Sequence, residues 1–184
     1  MRVLKYIAGS KYTSLVYKGL DSMEIVGYCD SDFASDKETG KSVFGYAFFL
    51  GGNLLSWKSK KSQSTTATST TVAELEGIYQ AATEGIWIRE MLLNLKIGSN
   101  APFKLYSDNT AAISVVTGEK YLEKTKHLVV KVEFLRDQIR DGILEVEWIS
   151  THDMTADIFT KNLGRTTFEK HLGTMGLDKQ ENKE

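Results

Sequence analysis

The stretch IVGYCDSDF, residues 25–33, combines an apolar strand pattern with two acidic side chains, Asp30 and Asp32. β-Branched and aromatic residues bounded by turn-forming positions are typical of a strand. Alternate residues of a strand point to the same face, so both acids share the face of Tyr28. An acid on a buried face is costly unless a cation or hydrogen-bond donors compensate it. Either the acids belong to a site, or the strand ends at Cys29 and both lie in a solvated turn.

Two more strand patterns follow this stretch and make a meander with it. Residues 43–50 are a continuous apolar and aromatic run, Gly51-Gly52-Asn53 is a hairpin turn signal, and residues 54–57 resume a strand. Beyond them the patterns predict a helix at 70–95, a strand at 103–107, a helix ending at 116, a basic helix at 122–140, a strand at 143–149 and a helix at 153–163. This order predicts an α/β fold with a mixed sheet.

Length and composition narrow the class of protein. A chain of 184 residues has the size of one domain. Its formal net charge is −1, so any nucleic-acid binding must come from local clusters of basic residues. The single Cys29 excludes an internal disulfide and a zinc site of several cysteines. No apolar run approaches the roughly 20 residues that span a bilayer, and we expect a soluble protein with no membrane partner.

Three further acids lie where predicted elements begin or end. Glu74 lies at the start of the buried stripe of helix 70–95, Asp108 follows strand 103–107, and Asp157 belongs to the last predicted helix. Each has an ordinary explanation: a first-turn acid favoured by the helix dipole, a helix N-cap and a surface charge. Together with Asp30 they can instead converge on one edge of the sheet. Oxygen ligands of this kind suit Mg²⁺ or Mn²⁺, and two such ions about 3.5–4 Å apart support in-line phosphoryl chemistry.

Six short motifs occur in order along the chain: YCDSDFA (28–34), SWKSKK (56–61), STTVAE (69–74), DN (108–109), TKH (125–127) and ADIFTK (156–161). In this order they resemble the ribonuclease H domain at the C-terminal end of copia-type retrotransposon (Pseudoviridae) polyproteins. Val72 stands where that family has a first glutamate, which is not the one aligned with its catalytic set. The resemblance implies a ribonuclease H-like α/β fold, with a five-stranded mixed sheet whose first three strands are antiparallel, flanked by helices.

The resemblance also implies a division of the chain and an activity. Residues 1–24 correspond to the tail of the upstream reverse-transcriptase or connection region, residues 25–177 to the ribonuclease H domain, and residues 178–184 to a disordered polar tail. The expected catalytic and metal-binding residues are Asp30, Glu74, Asp108 and Asp157, with two Mg²⁺ ions that Mn²⁺ can replace. The expected reaction is endonucleolytic cleavage of the RNA strand of RNA:DNA hybrids during reverse transcription, giving 5′-phosphate products. We expect it in the cytoplasm, within virus-like particles if the element is active, beside the upstream reverse-transcriptase domain of the same polyprotein.

Other candidate residues rest on analogy or on charge. His152, five residues before Asp157, is either a loop histidine that assists product release, as in cellular ribonucleases H, or an exposed loop residue. A second group would contact the hybrid, mainly through its phosphates; the alternative for its basic members is a solvated charged face. This group comprises Lys58, Lys60, Lys61, Ser69, Thr71, Lys126 and His127.

Two other functions are compatible with parts of the pattern. One is a catalytically inactive nucleic-acid-binding or scaffolding module derived from such an element. The other is an integrase-like or resolvase-like nuclease that shares the fold. The four intact acids argue against the first, and the ADIFTK motif with the lysine-rich hairpin favours ribonuclease H over the second.

Overall fold

The computed structural model describes residues 2–20, 22–35, 38–62, 69–118 and 126–179. Its helices are α1 (Arg2–Gly9), α2 (Thr70–Asn94), α3 (Thr110–Val116), α4 (Lys126–Arg140) and α5 (Arg165–Thr174). Its strands are β1 (Thr13–Leu15), β2 (Ile25–Asp32), β3 (Val43–Leu50), β4 (Asn53–Lys61), β5 (Phe103–Ser107), β6 (Leu144–Trp148) and β7 (Leu177–Lys179). Two 3-10 turns, Thr151–Asp153 and Thr155–Phe159, lie between β6 and α5.

The main sheet has five strands in the order β4-β3-β2-β5-β6. Strands β2, β3 and β4 pair antiparallel, while β5 runs parallel to β2 and β6 parallel to β5. The β3–β4 hairpin closes through Gly51 and Gly52, which both have positive φ, the conformation that tight hairpin turns require. The predicted five-stranded mixed sheet with three antiparallel strands at its start is therefore confirmed.

Helix α2 covers one face of this sheet and forms the larger core with it. Its buried residues include Ile78, Ile88 and Leu92, as the helical spacing predicts. The predicted helix extended to Leu95, but the observed helix ends at Asn94 and Leu95 is exposed. A smaller cluster covers the other face, where Ile158 and Phe159 of the second 3-10 turn and Met175, just after α5, pack on β3 and β4. Within the described ranges, no helix combines the length and apolar character needed to cross a membrane.

The prediction of an α-helix at 153–163 is wrong. The backbone there forms i,i+3 hydrogen bonds, from Asp157 N to Met154 O (3.1 Å) and from Thr160 N to Asp157 O (3.1 Å). Four consecutive residues, 154–157, are buried, which one face of an amphipathic helix cannot achieve. The tight turns instead press this segment against β2 and β3. The described part of the basic helix runs from Lys126 to Arg140, and the expected start at residue 122 lies outside the described residues, as do all of residues 119–125.

The two ends of the described chain meet in a second, two-stranded sheet. Strand β7 pairs antiparallel with β1, with Thr13 opposite Lys179 and Leu15 opposite Leu177. The expectation of a disordered tail from 178 is thus wrong for residues 178 and 179, because backbone pairing with β1 orders them. Residues 180–184 lie outside the described residues, and the assignment of residues 1–24 to an upstream region stays a prediction.

Candidate active site

The acids of β2 and β5 meet at the end of the two central parallel strands. Tyr28 lies opposite Tyr106 in the ladder, so Asp30 and Asp108, two residues further along each chain, come side by side. Glu74 approaches from the first turns of α2. Ligand oxygens of Asp30, Glu74 and Asp108 all lie within 4.8 Å of one another. The predicted convergence of these three carboxylates is therefore present.

Helix caps fix two of these acids in place. Helix α2 begins after Ser69, whose hydroxyl accepts a hydrogen bond from the backbone N–H of Val72 (3.3 Å). Helix α3 is capped by Asn109, whose Oδ1 accepts from the N–H of Ala112 (2.9 Å). The neighbouring Asp108 is thus not the cap, which removes the ordinary explanation for an acid at that position.

The fourth acid, Asp157, reaches the cluster through a lysine. The ammonium of Lys161 donates to Asp157 Oδ1 and to Asp30 Oδ1, both at 2.9 Å. The hydroxyl of Thr160 donates to the other oxygen of Asp30. On the opposite side, the hydroxyl of Thr151 donates to Asp108 Oδ2 (2.7 Å). The carboxylates are thus held by donors from the turns that follow β6.

Burial and mutual repulsion shape the charges of the site. Burial, reinforced by Asp30 and Asp108, raises the pKa of Glu74 to about 9. Burial also raises the pKa of Asp157 to about 6, against the opposing hydrogen bond from Lys161. Burial lowers the pKa of Lys161, but the charges and hydrogen bonds of Asp30 and Asp157 outweigh it and raise that pKa overall. At neutral pH the site therefore holds an ammonium, and Glu74 keeps its proton.

The donor set fits a hard divalent cation. Its ligands are carboxylate oxygens only, and hard cations such as Mg²⁺ and Mn²⁺ prefer oxygen. A cavity of about 420 Å³ opens beside Glu74 and Asp108 and gives access to them. Asp32 lines the cavity without belonging to the three-carboxylate group.

The remaining predicted residues lie around this centre. The exposed ring of His152 contacts Lys170 Nζ (2.8 Å) and Asp153 Oδ1 (3.3 Å), and none of its hydrogen bonds in the described structure reaches the four acids. Lys58 and Lys60 alternate along β4, and the Lys58 ammonium lies 5.8 Å from the centroid of the Tyr46 ring. The other candidates are Lys61 at the end of β4, Ser69 as the α2 cap and Thr71 in the first turn of α2; the side chains of Lys126 and His127 lie outside the described residues.

Sequence reasoning missed three residues that orient the acids: Thr151, Thr160 and Lys161. The spacing of Lys161 four residues after Asp157 is a signal for a pair on one turn. The bonds from Thr151 to Asp108 and from Thr160 to Asp30 span 43 and 130 residues, so no local pattern predicts them.

Comparison with known proteins places the chain in a family. No family model matches the chain. The retrovirus-related Pol polyprotein from transposon RE1 of Arabidopsis thaliana is 34% identical over 176 residues, which are 96% of this chain and 12% of that polyprotein. The corresponding polyprotein from transposon TNT 1-94 of Nicotiana tabacum is 34% identical over 175 residues, 95% of this chain and 13% of that polyprotein. Among solved structures, LC11-RNase H1 in complex with RNA/DNA hybrid aligns with a TM-score of 0.56 at 16% identity, covering 81% of this chain and 99% of that one.

The fold is therefore that of ribonuclease H, with a carboxylate cluster at the edge of the central strands. The chain belongs to the copia-type retrovirus-related Pol polyproteins. It spans about an eighth of the length of these curated relatives, so their activities and partners are not transferred by the match alone.

Proposed function

We propose that this chain is a metal-dependent ribonuclease H that cleaves the RNA strand of RNA:DNA hybrids during reverse transcription of a retroelement. One observation carries the proposal: carboxylates from β2, α2 and the end of β5 converge within 4.8 Å, beside the buried Asp157. Four acids from separate elements have no reason to share a buried edge for stability alone, because burial, reinforced by the charges of the other acids, raises the pKa of Glu74. Membership in the Pol polyprotein family supports the same reading.

Each residue has a role in this proposal. Asp30, Glu74, Asp108 and Asp157 would hold the two ions, Mg²⁺ or Mn²⁺. Ions bound at such a site activate water and neutralise charge on the scissile phosphate. Thr151 orients Asp108, and Glu74 must release its proton to bind a cation. Hydrolysis would leave a 5′-phosphate and a 3′-hydroxyl.

The substrate would be held by local positive charge. Three lysines lie in β4, which pairs with β3 in the same sheet as Asp30: Lys58, Lys60 and Lys61. Such lysines bind phosphates and fix position without reading sequence. Selection of RNA would use its 2′-hydroxyls, and the Ser69 hydroxyl, which accepts one bond from Val72, can still donate. The RNA/DNA hybrid bound to LC11-RNase H1 supports this choice of substrate.

The upstream reverse-transcriptase domain is the proposed protein partner. Helix α1 leaves Leu4 71% and Ile7 58% exposed, an apolar surface suited to a protein contact. Replacing both residues by Glu is expected to weaken binding to the separately produced reverse-transcriptase segment of the same element. Unchanged binding would contradict this role for α1.

A cleavage assay on a panel of duplexes tests the proposal. The RNA strand of an RNA:DNA hybrid is labelled and incubated with Mg²⁺, Mn²⁺ or a chelator, beside duplex RNA and duplex DNA. We expect metal-dependent cleavage of the hybrid alone. The variant Asp30→Asn should bind the hybrid without cutting it, because it loses a ligand but not the basic surface. Binding with no cleavage by the unsubstituted chain, even when joined to its reverse transcriptase, would favour an inactive module.

A further inference from the structure

We propose that Lys161 is a positioning residue whose ammonium occupies the cation position between Asp30 and Asp157 in the metal-free protein, and that a divalent ion bound to these two carboxylates displaces it. The inference rests on the metal site of the proposed function. It adds a competition between an internal cation and the external one.

Lys161 forms salt bridges with both Asp30 and Asp157. Lys161 Nζ lies 2.9 Å from Asp30 Oδ1 and 2.9 Å from Asp157 Oδ1, so it bridges the two acids. The side chains of Asp30 and Asp157 are only 1% and 6% exposed, whereas that of Lys161 is 33% exposed. In the described part of the chain, no other lysine or arginine forms an ion pair with either acid. The ammonium is thus the charge that compensates them.

The local fold aims Lys161 at this position. Its backbone N–H donates to the carbonyl of Asp157 (2.9 Å), a one-turn spacing that stacks the lysine beside that acid. The preceding Thr160 donates its hydroxyl to the second oxygen of Asp30. Both oxygens of Asp30 are therefore bonded to donors of the 160–161 segment.

The Lys161 ammonium and a metal ion would compete for the same carboxylate oxygens of Asp30 and Asp157. Carboxylate oxygens would be the ligands of Mg²⁺, and Asp30 Oδ1 and Asp157 Oδ1 are the oxygens that the ammonium already binds. Two carboxylates attract a doubly charged ion more strongly than a singly charged one at the same distance. The ion would therefore displace the ammonium.

Two cavities border the side chain of Lys161 and leave room for it to move. It lines both the 420 Å³ cavity beside Glu74 and a second cavity of about 430 Å³ bounded by Lys61 and Asn162. Asp32 lines both cavities as well and offers the displaced ammonium another carboxylate. The flexible four-carbon stem of lysine allows this movement without a change of backbone.

Titration with Mn²⁺ followed by calorimetry tests the competition without any turnover. Lys161→Met keeps an unbranched side chain, one atom shorter, and removes the charge. It should bind Mn²⁺ on the order of tenfold more tightly, an ordinary coupling between two competing binding equilibria. In chelator it should melt at a lower temperature than the unsubstituted chain, because its acids lose their cation. Lys131→Met is the matched control: Lys131 is similarly exposed and pairs with Glu76, so its loss should leave the Mn²⁺ affinity unchanged.

A second variant covers the case in which Lys161→Met does not fold in chelator. Lys161→Arg keeps the positive charge and can bond both carboxylates, so it should restore the melting temperature and bind Mn²⁺ no more tightly than the unsubstituted chain. Equal or weaker Mn²⁺ binding by Lys161→Met, or tighter binding by Lys161→Arg, overturns the inference. If the unsubstituted chain shows no Mn²⁺ binding that Asp30→Asn removes, the proposed metal site itself fails, and the competition fails with it.

Discussion

At Glu74, burial by the fold opposes the negative charge of the carboxylate. It is buried beside Asp30 and Asp108, and its pKa rises from 4.5 to about 9. A bound cation would reverse this, since it favours the carboxylate. A divalent ion at the proposed site would therefore have to displace the Glu74 proton, so the proton and the ion compete for this carboxylate.

The raised pKa of Glu74 predicts a pH dependence of stability. The folded protein keeps the Glu74 proton up to about pH 9, while the unfolded chain loses it near 4.5, so the free energy of unfolding in chelator must fall as pH rises between these values. Asp157 acts in the same direction at lower pH, between its ordinary value of 3.8 and about 6. Glu74→Gln should remove up to about 1.4 kcal/mol per pH unit of this slope. Urea unfolding at about pH 5, 7 and 9 measures it.

Glu76→Gln is the matched control for this prediction. Glu76 lies two residues further along α2 and pairs with Lys131 outside the cluster. Its substitution should change the overall stability but keep the slope of the unsubstituted chain. A Glu74→Gln variant with an unchanged slope would contradict the account of the site's charges.

At the scale of elements, the 3-10 segment Thr155–Phe159 is what brings Asp157 and Lys161 to the sheet. It lies against β3 at Gly45, which pairs with Asp30. A Cβ at Gly45 would lie 2.6 Å from Phe159 Cβ, too close for any real contact. The absence of a side chain at Gly45 thus permits the approach.

Gly45→Ala should push this segment away from Asp30. We expect a loss of about 1–3 kcal/mol in the free energy of unfolding, the usual cost of overpacking, together with weaker Mn²⁺ binding. Gly173→Ala is the control, since a Cβ there meets nothing within 4 Å and α5 should tolerate it. Equal effects of the two substitutions on Mn²⁺ affinity would argue that the segment does not position the site.

Helix α3 positions Asp108 through its cap. Asn109→Ala removes the acceptor for Ala112 N–H and should lower stability by about 1 kcal/mol. Because the cap fixes the chain next to Asp108, cleavage of the hybrid should also slow. Asn109→Ser keeps a capping oxygen and should preserve both properties. Thermal melting and initial rates of cleavage separate the two variants.

The elements that sequence predicts correctly are those whose patterns are local. Strands β3 and β5 are predicted with their observed bounds, because a continuous apolar run in β3 and an alternating pattern in β5 both end at turn residues. Strands β1 and β7, of three residues each, exist only through pairing across the chain, and the 153–163 segment was misassigned because its burial comes from tertiary packing. The same division holds for the site: placement and family resemblance predict the four acids, whereas the partners Thr151 and Thr160 depend on contacts between distant segments.

At the scale of the whole molecule, positive and negative charges nearly cancel, but each sign is concentrated in local clusters. The formal net charge is −1, yet the carboxylate cluster and the lysines of β4 belong to the same sheet. If it binds the hybrid as proposed, a nearly neutral protein of this kind would do so through a few phosphate contacts. Its affinity should therefore be modest and sensitive to salt.

Salt dependence measures how many lysines of β4 take part. Replacing Lys58 and Lys60 by Ala should weaken hybrid binding and reduce the slope of log affinity against log salt concentration by about 0.7–0.9 for each lost contact. Lys104→Ala is the control, because Lys104 lies at the opposite end of β5 from Asp108 and pairs with Glu24. If the slope stays the same in the double variant, β4 does not contact the phosphates.

The most direct test of the central claim is the rate at which the four single variants Asp30→Asn, Glu74→Gln, Asp108→Asn and Asp157→Asn cleave the RNA strand of a hybrid in Mg²⁺ or Mn²⁺. If the carboxylates form one metal-dependent site, each variant should stay folded and bind the hybrid while losing at least about two orders of magnitude in rate. Metal-dependent cleavage that survives in Asp30→Asn or Glu74→Gln at the rate of the unsubstituted chain would contradict the account.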